Sequence, residues 1–219
     1  MQKLYTKPFE VRSRLDTLGL SEELLQQAAR RGLAAAHTCT EHHPRPSAGY
    51  YLWSEAIAGL RETTALRGWH GEDDQNLPYT INESRTIRIA VATGDEYTGI
   101  EDRTPCTSSK KGPRTVTAVA SNKRQYELFP GIELAPETLM NVIGSMGCTT
   151  WLLLIHRDIQ TQEIRCELSR PVDMNAEGKV SDWAERIILA STPFTGPKSG
   201  VVPDVPKSPE IDVRIKRRA

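Results

Sequence analysis

The apolar positions change period along the chain. From Ser21 to about Ala36, Leu24, Leu25, Ala28, Ala29 and Leu33 recur at helical spacing, and Ser21-Glu-Glu offers a cap and first-turn acids for the positive helix end. Thr38 to Gly49 interrupts the pattern with two prolines. Trp53, Ala56, Ile57 and Leu60 then form a second stripe, predicting a helix from about Gly49 to Arg67, with Ser47 as cap and Gly68 as stop.

Beyond Trp69 the period shortens to two. Pro78 to Asn82 and Arg85 to Ala92 read as strands around Asn82-Glu83-Ser84, with Ile87, Ile89 and Val91 alternating against Thr86, Arg88 and Ala90. Gly94 closes the second strand and opens a loop of about twenty residues to Gly112, a length usually functional or disordered. Pro113 suits the first turn of another helix, which the pattern orients with Val116, Val119, Ala120 and the Lys123 stem inward and Asn122, Arg124 and Gln125 outward. Pro136 to Ile143 is compatible with a short helix. Thr149 to Arg157, Glu163 to Pro171 and Val180 to Leu189 follow as strands with short connections, hence an antiparallel meander. Thr192 to Pro209 holds five prolines and reads as an extended tail, and Val213 to Arg218 as an edge strand or a basic end.

These elements predict an α+β fold: an antiparallel sheet of about five strands, with the two N-terminal helices and the mid-chain helix on one face. Residues 1–191 form one domain and residues 192–219 a Pro-rich tail. With 219 residues, 38% hydrophobic and 26% charged, the chain suits one sizeable core and excludes global disorder. No apolar run reaches the ~18 residues of a membrane span. Met1-Gln-Lys-Leu-Tyr lacks the apolar segment of a signal peptide, which predicts a cytoplasmic protein. Cys39, Cys106, Cys148 and Cys166 form no C-x-x-C pair, excluding a zinc ribbon or thioredoxin-like motif.

Charge sharpens the picture. The formal net charge is zero, which argues against coating nucleic acid through bulk electrostatics. Its distribution is uneven: Gly71 to Asp102 holds eight acids against two arginines, whereas Arg103 to Tyr126 holds six bases and no acid. The sign changes inside the long loop.

Candidate chemistry gathers at that switch. Asp95 and Glu96 stand where a strand gives way to the loop, a placement suited to a hard cation such as magnesium, though turn acids are commonly just solvated. Glu163 and Glu167 have strand spacing but no lysine partner of the nuclease kind. Lys110, Lys111 and Arg114 lead into the Pro113 helix, where unpaired amides favour an anion, and Lys123 and Arg124 extend the basic set. The glycine spacing of a phosphate loop is absent. His37-Thr-Cys-Thr-Glu-His-His43 has zinc-ligand residue types without zinc-ligand spacing. Tyr50, Tyr51 and Trp53 lie near Arg45 and could stack on nucleotides, but their spacing makes them packing residues first.

The leading expectation is a binding or regulatory protein, not an enzyme, that engages nucleic acid or another polyanion through the basic loop and helix start. It requires no cofactor. Two alternatives are a magnesium-dependent phosphoesterase or nuclease using Asp95 and Glu96, and a protein-interaction or inhibitor-type subunit docking through its tail.

Overall fold

A computed structural model describes residues 2–74, 77–128 and 148–194. In chain order these residues form β1 (Lys3–Tyr5), α1 (Pro8–Thr17), α2 (Glu22–His37), α3 (Ser47–Ala65), β2 (His70–Asp74), β3 (Leu77–Ile81), β4 (Ile87–Thr93), α4 (Pro113–Leu128), β5 (Thr149–Asp158), β6 (Glu163–Met174), β7 (Val180–Ile188) and β8 (Thr192–Pro193). No described helix is long and apolar enough to cross a membrane.

The α+β class stands, but the antiparallel sheet of about five strands does not. The described strands make one eight-stranded mixed sheet in the order β1-β7-β6-β5-β4-β3-β2, with β8 also on β6. Two neighbouring pairs, β4 with β5 and β1 with β7, are parallel. Parallel neighbours need a crossover, and the chain between β4 and β5 includes α4. The expected meander is present as β5-β6-β7. The additional strands are short or unusually polar. β2 reads His-Gly-Glu-Asp-Asp, with no alternation to mark it, and lies at the sheet edge, where charge is tolerated. Trp69 therefore leads into a strand that begins at His70.

The helices also divide differently from expectation. Residues of α1, α2 and α3 pack on one sheet face with Ile89, Val91, Trp151, Leu153, Ile155, Leu168 and Ile187. Helix α4 covers the opposite face, where Val119 joins Tyr79, Ala90, Leu152, Leu154 and Trp183. On the first face, α2 and α3 approach so closely that a Cβ on Gly32 would lie 2.4 Å from the Leu52 carbonyl oxygen.

The second face depends on a polar contact. The β5–β6 pairing ends at Leu152 with Ser169, two residues short of Thr150 and Pro171, and proline has no N–H to give. Asn122 of α4 fills the gap. Its fully buried side-chain amide donates to the carbonyls of Thr150 (2.7 Å) and Pro171 (2.9 Å), while its oxygen accepts from the Thr150 amide (3.0 Å). The inward face of α4 is thus Thr115, Ala118, Val119, Asn122 and Gln125. This corrects the expectation that Val116, Ala120 and Lys123 turn inward: satisfying buried backbone groups outweighs the stripe's apolar content. The helix compatible with Pro136 to Ile143 and residues 195–219 of the tail lie outside the described residues. Thr192 and Pro193, assigned to the tail, instead pair with β6.

Candidate functional site

The loop after β4 lies on the sheet beside α4 and is anchored from below. Glu167 of β6 and Arg186 of β7 are fully buried and joined by two hydrogen bonds, Nε to Oε1 at 3.0 Å and Nη2 to Oε2 at 2.6 Å. Arg186 also donates to the carbonyls of Arg103 (2.6 Å) and Ile100 (3.1 Å), and the Gly99 amide donates to Glu167 (2.9 Å). Further along, the Trp183 indole donates to the Pro105 carbonyl at 2.9 Å. Thr107 exchanges bonds with the β7 start, its amide donating to the Val180 carbonyl and its hydroxyl accepting from the Val180 amide. The Lys111 amide donates to the Gly178 carbonyl at 2.9 Å, which ties the loop's last turn to the β6–β7 hairpin.

Asp95 holds this loop closed. One carboxylate oxygen accepts from the Tyr97 amide (3.2 Å) and the other from the Cys106 amide (2.9 Å). Burial raises its pKa above the usual carboxylate range, while those two amides pull the other way. Glu96 is exposed, and its backbone carbonyl accepts from Arg165. Nearby, His156 shares a 3.3 Å contact with the Gly94 carbonyl through Nδ1, and burial lowers its pKa. Among the described residues no group of three or more His, Cys, Asp or Glu side chains is arranged to hold a metal ion.

The histidine-rich segment disperses. His37 packs edge-on against Phe194 (5.4 Å between ring centroids) with Nε2 buried and unpartnered, and burial, then Arg157, lowers its pKa. His43 accepts from the Thr40 amide at 3.0 Å, and His42 is exposed.

The basic residues divide into a helix-start corner and a distal pair. Lys110 is exposed, with its stem against Gly178, and Arg114 approaches Asp74 of β2 at 3.6 Å. Between them Lys111 is half-buried. Its ammonium has a 3.4 Å contact with the Ser109 hydroxyl and no carboxylate among the described residues, and burial depresses its pKa to about 8. Lys123 and Arg124 are exposed about 15 Å along α4 from its first turn, at 1.5 Å per residue, and Lys123 pairs with Asp173 at 2.6 Å.

The acid block and the base block therefore do not form two separate patches. Three consecutive acids of β2 are each met by an arginine from a different part of the chain: Glu72 by Arg85, Asp73 by Arg61 (both 2.6 Å) and Asp74 by Arg114. Strand alternation sends Glu72 and Asp74 to the α4 face and Asp73 to the α3 face.

A concavity lies on that α3 side. Tyr50, Trp53, Ile57, Arg61, Asp73 and Pro78 help line an open groove of about 520 Å³. Trp53 is partly buried and packs against the core, whereas Tyr50 (60% exposed) and Tyr51 (37% exposed) depart from the packing expectation. The inward positions of α3 are instead Leu52, Ala56, Ile57, Gly59, Leu60 and Thr64. Spacing places an aromatic on a helix face but does not say which face the sheet covers. Comparison of the chain with protein-family models, curated proteins and solved structures finds no match.

Proposed function

We propose that this protein is a binding module that engages nucleic acid or another polyanion through the corner formed by Lys110, Lys111 and Arg114 at the start of α4, with Lys123 and Arg124 as outlying contacts. The observation that carries this reading is Lys111. A partly desolvated ammonium is normally accompanied by a carboxylate, and here the described residues supply only a hydroxyl. An external phosphate would complete it, with the first-turn amides of α4 and Arg114 beside it.

The reading has a definite pH signature. Lys111 carries its proton below about pH 8, so affinity for a polyanion falls as pH rises through that value. Fluorescence anisotropy with labelled single-stranded DNA and RNA tests this at low salt, across pH 7 to 9. Lys111→Gln is expected to weaken binding, flatten that pH dependence, and lower the slope of log affinity against log salt by about one. Absence of binding by DNA, RNA and heparin at low salt rejects the proposal.

A further inference from the structure

The groove on α3 has the chemistry of a ring-binding site. Tyr50 and Trp53 stand 5.9 Å apart between centroids at 46° to each other, leaving an aromatic face open to solvent. Also lining the groove, the Asp73 carboxylate is 67% exposed and accepts from Arg61, whose guanidinium also donates to the Tyr79 carbonyl at 3.1 Å. Arg61 is held flat against β2, because a Cβ on Gly71 would lie 2.6 Å from its Nε. The lining therefore combines an aromatic ring surface with a carboxylate acceptor held by Arg61.

Charge is also graded along α3. Its first turn contains no acid and follows exposed Arg45, so its positive end lies next to Tyr50. That gradient matches a ligand with a flat ring in the groove and an anionic group toward the helix start. The groove and the α4 corner meet at one strand: Asp73 lines the groove, and the next residue, Asp74, pairs with Arg114.

We propose that the groove between Tyr50, Trp53 and Asp73 is a stacking site for an unpaired nucleobase bearing an exocyclic amino group, so that the polyanion engaged at the α4 corner is a single-stranded nucleic acid crossing the β2 edge. Aromatic faces supply sequence-tolerant stacking, and Asp73 accepts from the amino group, as carboxylates do with cytosine. This rests on the polyanion reading for the phosphates, and makes its own claim only about the base.

The chain contains its own reporter. Of its four tryptophans, Trp69, Trp151 and Trp183 are at most 5% exposed, leaving Trp53 as the one that a ligand in solution can reach. The experiment titrates the full chain with short oligodeoxycytidylate, oligothymidylate and an abasic strand of equal length, reading tryptophan emission and anisotropy together. Oligodeoxycytidylate is expected to quench emission. Trp53→Phe should remove the quench, Tyr50→Ala should weaken binding about tenfold, and Asp73→Asn should reduce the preference for cytidylate over thymidylate. Unchanged emission and an unaffected Tyr50→Ala variant, with binding that still depends on Lys111, overturns the groove assignment and leaves the polyanion reading intact. Equal quenching by the abasic strand overturns it as well, as does quenching by proline-rich peptides but not by oligonucleotides. If no polyanion binds at all, both readings fall.

Discussion

The two faces of the sheet are stabilised by different chemistry. The face under α1, α2 and α3 is a continuous apolar core in which leucines, alanines and Trp151 interlock, its tightest contact, at Gly32, is steric, and beside it α1 reaches β7 through the Arg14–Glu185 ion pair. The face under α4 and the 94–112 loop is organised around buried polar groups: Glu167, Arg186, Ser169, Asn122 and Thr107. Apolar packing is non-directional and tolerant, whereas each buried hydrogen bond fixes a direction and leaves a penalty when its partner is lost. The basic corner and the Asp95 loop lie on the second face, where loop and helix are placed by hydrogen bonds, and the aromatic groove lies on the first.

Breaking the Glu167–Arg186 pair is expected to have the largest effect. Arg186→Met strands a buried carboxylate and releases the Ile100 and Arg103 carbonyls, so a loss of about 3–5 kcal/mol is expected in urea denaturation. Faster hydrogen exchange near Gly99 should accompany it. On the apolar face, Leu60→Ala should cost about 2–4 kcal/mol with no selective change in loop exchange, since a cavity there has no directional link to the loop. A loop opened equally by both variants would dissolve the distinction between the faces. Gly32→Ala should cost about 1–3 kcal/mol, because the clashing atom is backbone and cannot rotate away. Smallest is Arg85→Ala, which removes an exposed partner of Glu72 and should change stability by less than about 1 kcal/mol.

Legibility from sequence follows the same divide. Elements built on apolar period were readable: the inward positions Leu25, Ala28, Ala29 and Leu33 of α2 and the β5-β6-β7 meander. In β4 the period marks Ile89 and Val91 for the helix face, but Ala90, in the opposite set where a half-buried strand has its wet face, is buried with Ala92 on the α4 side. Helix α4 was located by Pro113, but its orientation was not readable, because Asn122 faces inward to meet two backbone strands far away in sequence. The pairing of Glu167 was equally hidden. The sequence pattern asked for a lysine nearby, and the partner is an arginine on the next strand, opposite the loop it anchors. Of the charge switch at Arg103, location survived and segregation did not, since Arg114 of the basic stretch reaches back to Asp74 of the acidic one. Lys111 carried no special mark among six bases. Its distinction is partial burial without a carboxylate among the described residues, a property of the folded corner alone.

The Asn122 contact also couples the helix to the strand beneath it. Thr150 is a residue of a central strand, yet its amide proton is held by a helix side chain. Without α4, the amide and carbonyl of Thr150 and the carbonyl of Pro171 lose these hydrogen bonds inside the sheet. Solvent exchange at the Thr150 amide is therefore expected to report the opening of the helix from its seat.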